Sequence, residues 1–557
     1  MSVESEGDHP TTQPTVLVSL SGGGYRAAVF GVGALLAIAD SPIRSSVTSI
    51  SSVSGGSIAS SLTIGGFEEP TTHTDVPASA DPMGHRARLV AGICQTPAVF
   101  VENLLKFAKD VIPPFILLLA LFRFAFPRTF DGYGWMDLYP MLMILFGVPL
   151  FVAITAIPTS RLAVQTMLEP LLTSLVDSSD PRVGVSMADL NGIGCASRVF
   201  CTTDVASGSH VYITARDVLL PQRRGRDPVL LLSDVVAASA CFPGFRPIEF
   251  SESELGLSDT KRPRTAVRRT IGKGWLLSGL TLLLGLLAAG AVVARMAGRL
   301  PGWRGLVAAL AAIAIAFIVG KLCWRGIIGT SAIRLVDGGV YDNYGASFTA
   351  LTQDARYPTL AAVLGLRGAA PRIVIVVDAS KVSGGWLRHG LLSLIPLRFQ
   401  VLPRSAVAMT SAANGRARLA ALSYLLSNTD GLTGAIVSIG NVPRAFKDQT
   451  DWTTVVNLNA STSTTLDALP SSAVQRLLVH AYRLTEEALD DLGFPIATPR
   501  TEEELMELSG EAARSAALGV LGSSPQGPYS RADRRQRRFF LFCLALIGLS
   551  LFVVPRL

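Results

Sequence analysis

The chain is poor in charge. Asp, Glu, Lys and Arg make up only 16% of its 557 residues, against 49% hydrophobic residues and a mean hydropathy of +0.42. That balance is too apolar for an ordinary soluble enzyme and calls for a membrane-embedded portion. No Cys-x-x-Cys pair occurs. The six cysteines, at 94, 195, 201, 241, 323 and 543, are too scattered for a zinc site or a disulfide framework, which fits a reducing compartment. No metal or cofactor is expected. Nowhere are basic residues interleaved with aromatics, so no nucleic-acid partner is expected. The net charge of +7 gathers instead in clusters beside apolar runs, which suits anionic lipid headgroups. The first fourteen residues are polar and acidic and lack the n-region and h-region of a cleavable signal. No internal repeat of solenoid period is visible.

Long uncharged runs are abundant. Residues 138–157 and 275–294 each provide 20 residues without a charge, the length needed to cross a bilayer. Each has an apolar neighbour, 111–126 and 305–320, so hairpins are expected at 111–158 and 274–325. Pro113, Pro114 and Arg123 weaken the 111–126 run, for which a buried or re-entrant helix is the competing reading. A last span, 538–556, follows five arginines at 531–538. The clusters at 261–273 and 531–538 outnumber the arginines at 295–304, which places the globular parts in the cytoplasm and the protein in the cell (inner) membrane. Between the spans the composition is that of a globular α/β protein, in three parts: 15–110, 159–260 and 326–500. An acidic helix and linker, 501–530, comes before the terminal anchor.

The first part carries the chemistry. An apolar run, 15–20, ends in Ser21-Gly-Gly-Gly-Tyr-Arg26, after which the spacing becomes helical. Backbone N–H groups of Gly22, Gly23 and Gly24 then converge on a small anion. A nucleotide phosphate is one candidate, although no Gly-Lys-Ser/Thr is present and Ala27 stands where G-x-G-x-x-G needs glycine. An oxyanion is the other. Ser52-Val-Ser-Gly-Gly56 resembles the G-x-S-x-G elbow, whose tight strand-to-helix turn needs small residues on either side of the nucleophile. Ser54 is then the nucleophile, with Gly56 the required small residue; an ordinary Gly/Ser-rich turn is the bland alternative. A serine needs a base, and none of the six histidines is framed by a turn or strand end that would aim it. Asp337 is the candidate. It ends a short β-branched strand and precedes Gly338 and Gly339, so a tight, partly desolvated turn would hold its carboxylate. Alone, Asp-Gly-Gly would read as a hairpin turn.

Taken in order, Ser21-Gly-Gly-Gly-Tyr-Arg26, Ser52-Val-Ser-Gly-Gly56, Ala238-Ser-Ala-Cys-Phe-Pro-Gly244 and Asp337-Gly-Gly339 resemble the patatin-like phospholipase family. The likeness covers 15–66, 195–250 and 331–380, and more weakly 466–492. It departs at Ser21, where many members have Asp, at Ala27 and at Ser52. The resemblance implies a three-layer α/β/α sandwich with a mainly parallel central sheet, here interrupted by transmembrane helices. It also implies a Ser54–Asp337 dyad without histidine, an oxyanion hole from Gly22 to Gly24, and Arg26 as support for the glycine loop. The expected function is a membrane-bound serine acyl hydrolase acting on phospholipid or lysophospholipid esters through an acyl-enzyme. An acyltransferase or neutral-lipid esterase on the same fold, and a catalytically inactive membrane scaffold, are the alternatives. A transporter would need intramembrane charges, and Arg123 is the lone candidate. The expected partners are a membrane lipid and the bilayer; the sequence carries no signal for or against an oligomer.

Overall fold

The computed structural model describes residues 14–67, 81–96, 159–175, 184–191, 196–257 without 222 and 242–246, 333–346, 372–380, parts of 417–427, 431–462, 466 and 468–523. The segments expected to span the bilayer, 111–158, 274–325 and 538–556, lie outside the described residues. Among the described residues no helix is long and apolar enough to cross a membrane.

Strand β1 (Thr15–Leu20) feeds helix α1 (Gly24–Ala39), and β2 (Val47–Ser52) feeds the short α2 (Gly55–Leu62). Next come α3 (Pro82–Cys94), α4 (Thr159–Leu175), β3 (Ser197–Asp204), β4 (His210–Ile213), β5 (Asp217–Leu220), β6 (Arg223–Arg226) and α5 (Leu232–Ser239). Strands β7 (Ile248–Phe250), β8 (Ile333–Asp337), β9 (Arg372–Asp378) and β10 (Leu432–Ser438) complete the sheet. Helices α6 (Thr450–Ser461), α7 (Ser471–Asp491), α8 (Glu502–Glu507) and α9 (Glu511–Ser523) follow. The acidic helix expected from 501 is thus two helices, the first opened by a Thr501/Glu504 capping box.

The strands form one mixed sheet. In the order β10-β9-β1-β2-β3 they are parallel, and β3-β4-β5-β6 continue antiparallel. Side chains alternate across the parallel group as the period of two demands. Val16, Val18, Leu20, Ile373, Ile375 and Val377 pack with α1 and α7. On the opposite face Leu17, Val374 and Val376 pack with Tyr344, Ala346 and Leu422. The β-branched run 372–378 is therefore covered on both faces, as a buried parallel strand requires. Every residue of α1 is buried. Gly33 lets α7 approach closely, since a Cβ there would lie 2.7 Å from the Leu478 carbonyl oxygen.

Strand β8 decides where the chemistry falls. It is antiparallel to β3, pairing Asp337 with Thr202, while β2 is parallel to β3, pairing Ser52 with Phe200. Since β4 occupies the other edge of β3 at both positions, β2 and β8 meet end to end along one edge. Phe200 and Thr202 are about 6.6 Å apart along the strand and share a face. The ends of two strands far apart in sequence are thereby brought together.

Candidate active site

Ser54 occupies the turn between β2 and α2 with φ 51° and ψ −118°. A non-glycine residue rarely adopts this backbone, at a cost of about 1–3 kcal/mol. Serine at a helix N-cap ordinarily accepts from the first turn, but Ser54 makes no such capping bond. Its hydroxyl lies close enough to Asp337 to favour the ionised form of that carboxyl.

The strained turn is held from below. The Ser54 N–H donates to Ser239 Oγ at 3.0 Å, and Ser239 donates to the Cys201 carbonyl at 2.8 Å. Ser57 Oγ stands 2.8 Å from Ser239 Oγ and 3.2 Å from Ser52 Oγ, and Ser52 donates to the Val199 carbonyl at 3.2 Å. With both neighbours committed as donors, the single Ser57 hydrogen is shared between them. Serine at 52 thus fits the elbow and ties β2 to β3. Sequence reasoning singled out the motif containing Ser239 without seeing this role, because nothing local marks a helix-end serine as the partner of a backbone N–H 185 residues away. The rest of that motif, 242–244, lies outside the described residues.

Asp337 ends β8 and caps a 3-10 turn, Gly338–Val340, rather than a hairpin. Its N–H donates to the Cys241 carbonyl at 2.8 Å, and its Oδ1 accepts from Gly339 N–H at 2.8 Å. The residue is only 6% exposed. Burial pushes the carboxyl up to about 6, against the opposing pull of the Gly339 N–H and the Ser54 hydroxyl. That places it near the working pH of a general base. A Cβ on Gly338 would lie 2.4 Å from the Cys201 carbonyl oxygen, so the turn must be glycine to seat against β3.

The three glycines of the loop are not equivalent. Gly22 donates its N–H to the Asn343 carbonyl at 2.8 Å, so this member of the expected trio is already engaged. Gly23 has φ 141° and caps α1, and Gly24 starts the helix with φ 60°. Amides in a helix's first turn have no partner within the helix. Gly22 lies beside Ser54: a Cβ there would come within 3.2 Å of Ser54 Cβ and 2.5 Å of Asn343 Oδ1. Gly56 is pressed against the end of β1, where a Cβ would lie 2.8 Å from the carbonyl oxygens of Leu20 and Ser21. Ser21, the first residue of the loop, accepts the Ala379 N–H at 2.7 Å. Asn343, whose Nδ2 donates to Ser380 Oγ at 2.9 Å, joins the loop to the Asp337 turn and was not singled out in the sequence.

Arg26 is fully buried behind the loop rather than at its mouth. Its guanidinium donates to the carbonyls of Ala379 at 2.6 Å, Ala460 at 2.9 Å and Thr462 at 3.1 Å. Burial lowers the group to about 10, against the attraction of Asp378. Arg26 thus fastens the glycine loop to the end of β9 and the end of α6. Arg26→Met leaves three carbonyls without this donor and is expected to cost roughly 3–5 kcal/mol, measured by denaturant unfolding of the purified chain.

Two histidines are buried close to these elements. His480 on α7 contacts Phe30 and Trp452 and lies with Nε2 2.7 Å from the Asn441 carbonyl; burial pushes it down to about 4. His210, at the start of β4, is aimed at the Gly338 carbonyl, 3.1 Å from Nε2. No histidine was expected to be aimed in this way, since β4 and the Asp337 turn are joined only by tertiary pairing.

No protein-family model matches the chain, and comparison with curated proteins finds no match. Among solved structures, human GIVD cytosolic phospholipase A2 aligns at a TM-score of 0.35 and 10% identity, over 89% of this chain and 63% of that one. The same human enzyme in complex with methyl gamma-linolenyl fluorophosphonate aligns at a TM-score of 0.33 and 12% identity, over 90% and 60%. The chain thus spans about three-fifths of the length of these structures. A likeness this distant leaves the site to be judged on its own geometry.

Proposed function

We propose that the chain is a serine acyl hydrolase of the patatin-like type, acting on carboxylic esters of membrane lipids. The observation that carries this reading is the strained Ser54, whose hydroxyl acts on a buried aspartate with its carboxyl raised to about 6. Ser54 Oγ attacks the ester carbonyl while Asp337 takes its proton, and the first-turn amides of Gly23 and Gly24 face the developing oxyanion. Asp337 returns the proton to the leaving alcohol, then takes one from the water that releases the acyl group. An alcohol in place of that water would make the same site an acyltransferase. The apolar segments and basic clusters of the sequence support a membrane protein with its catalytic part on the cytoplasmic side, where tethering raises the effective concentration of a lipid substrate.

A fluorophosphonate probe, which reacts with activated serines, tests the assignment on the full chain in lipid. Wild type is expected to be labelled and Ser54→Ala to be silent. Equal labelling of the two would sink the proposal.

A further inference from the structure

The peptide unit joining Gly338 to Gly339 is hydrogen-bonded at both ends. Its N–H donates to Asp337 Oδ1 at 2.8 Å. Its carbonyl accepts from the Tyr341 and Asp342 amides at 3.0 Å each, from His210 Nε2 at 3.1 Å and from the Thr203 hydroxyl at 3.5 Å. His210 is fully buried, with Nδ1 3.2 Å from the Tyr212 hydroxyl and its ring centroid 4.4 Å from that of Tyr341. A carbonyl oxygen can only accept, so Nε2 carries the hydrogen and Nδ1 takes the one from Tyr212. A hydrogen bond to the carbonyl end of an amide polarises the unit and strengthens its N–H as a donor.

We propose that His210 is a positioning residue that sets the basicity of Asp337 through the Gly338–Gly339 peptide. The chain of bonds runs from Tyr212 through His210 to the carbonyl of Gly338, and from the N–H of Gly339 to the carboxylate. It rests on the reading of Asp337 as the base, and it gives a buried histidine a place in a site whose proton transfers need none. The titratable groups around the turn are Cys201 on β3, His210 and Tyr212 on β4, Cys241 after α5, and Tyr341 and Asp342 on the turn itself. Asp204 bonds within its own turn to Ser207, and Arg334 on β8 pairs with Glu249 on β7. His210 is the ring among them that touches the peptide donating to Asp337.

The test is the rate of fluorophosphonate labelling of the full chain as a function of pH. Labelling needs ionised Asp337, so the wild-type rate falls as pH drops through about 6. In His210→Leu the N–H of Gly339 supports the carboxylate less well, and the acid limb moves to higher pH by roughly 0.5–1 unit. At pH 6 that is roughly 2–5-fold slower labelling, with the high-pH plateau largely kept. His210→Gln, which keeps a donor, restores the limb. Tyr212→Phe, which keeps the histidine ring, moves it in the same direction by less and remains informative where His210→Leu fails to fold. A role in packing alone would slow labelling equally at every pH, and an unmoved limb in these variants overturns the proposal. Absence of labelling in wild type overturns the acyl-transfer reading itself, so the two failures are distinct.

Discussion

Asp337→Asn is expected to lower turnover by roughly 10²–10⁴-fold and, in the same protein, to raise thermal stability. Both effects come from one desolvated carboxylate. The asparagine keeps the shape and an oxygen to accept the Gly339 N–H, but it has no basic form to take the Ser54 proton. The stability gain follows from linkage. Asp337 titrates near 6 when folded, above the ordinary value near 3.9 of an unfolded aspartate. The folded state therefore binds the proton more tightly, and the stability this gives is fully present below about 4 and is lost as pH rises through about 6. At neutral pH the buried charge costs on the order of 2–3 kcal/mol, which the asparagine does not carry. Melting curves of the two proteins should separate above pH 6 and converge toward pH 4; curves that stay together throughout would contradict the burial assigned to Asp337.

Gly55→Ala is expected to produce the largest structural defect in the site. A Cβ at this position would lie 1.9 Å from the Gly24 carbonyl oxygen, 2.7 Å from the Gly24 carbonyl carbon and 3.0 Å from its nitrogen. These are backbone atoms of the glycine loop, so no side-chain rotation relieves the clash. The glycine loop must retreat from the elbow. A displacement of about 1 Å between reacting groups costs on the order of 10²-fold in rate, and overpacking adds roughly 1–3 kcal/mol of destabilisation or more. Gly31→Ala is the control. Its Cβ would meet nothing closer than 3.5 Å, and in a helix interior alanine is favoured over glycine by up to about 1 kcal/mol. Probe labelling and unfolding of both variants would decide the matter, and equal behaviour would remove the close approach of loop and elbow from the account.

The parts of the site that sequence reasoning reached are those where geometry forbids a side chain. Gly56 and Gly338 stand out because backbone passes against backbone there, Gly22 because Asn343 and Ser54 crowd it, and Gly23 and Gly24 because their φ is positive. Strand β9 carries a β-branched run, Ile373-Val-Ile-Val-Val377, that marks a buried strand in the sequence itself. What escaped depends on pairings between distant segments. The amide of Gly22 looked like a third oxyanion donor, but the Asn343 carbonyl takes it. Ser239 and His210 are unremarkable in their own neighbourhoods and acquire their roles when α5 and β4 close on the elbow and the Asp337 turn. The antiparallel extension β4–β6 was also only partly visible. In particular β6, with three arginines in four residues, has no strand pattern of its own.

The meeting of β2 and β8 along β3 also sets a timetable for biosynthesis. In a growing chain Ser54, the proposed nucleophile, is made 283 residues before Asp337, its proposed base. Strand β1, the first to be synthesised, keeps one edge unpaired until β9 arrives at 372–378. Such an edge is open to wrong partners, and closing so long a loop is slow. On the proposed reading Ser54 therefore stays without its base until the later segments, including the apolar run 275–294, have been produced.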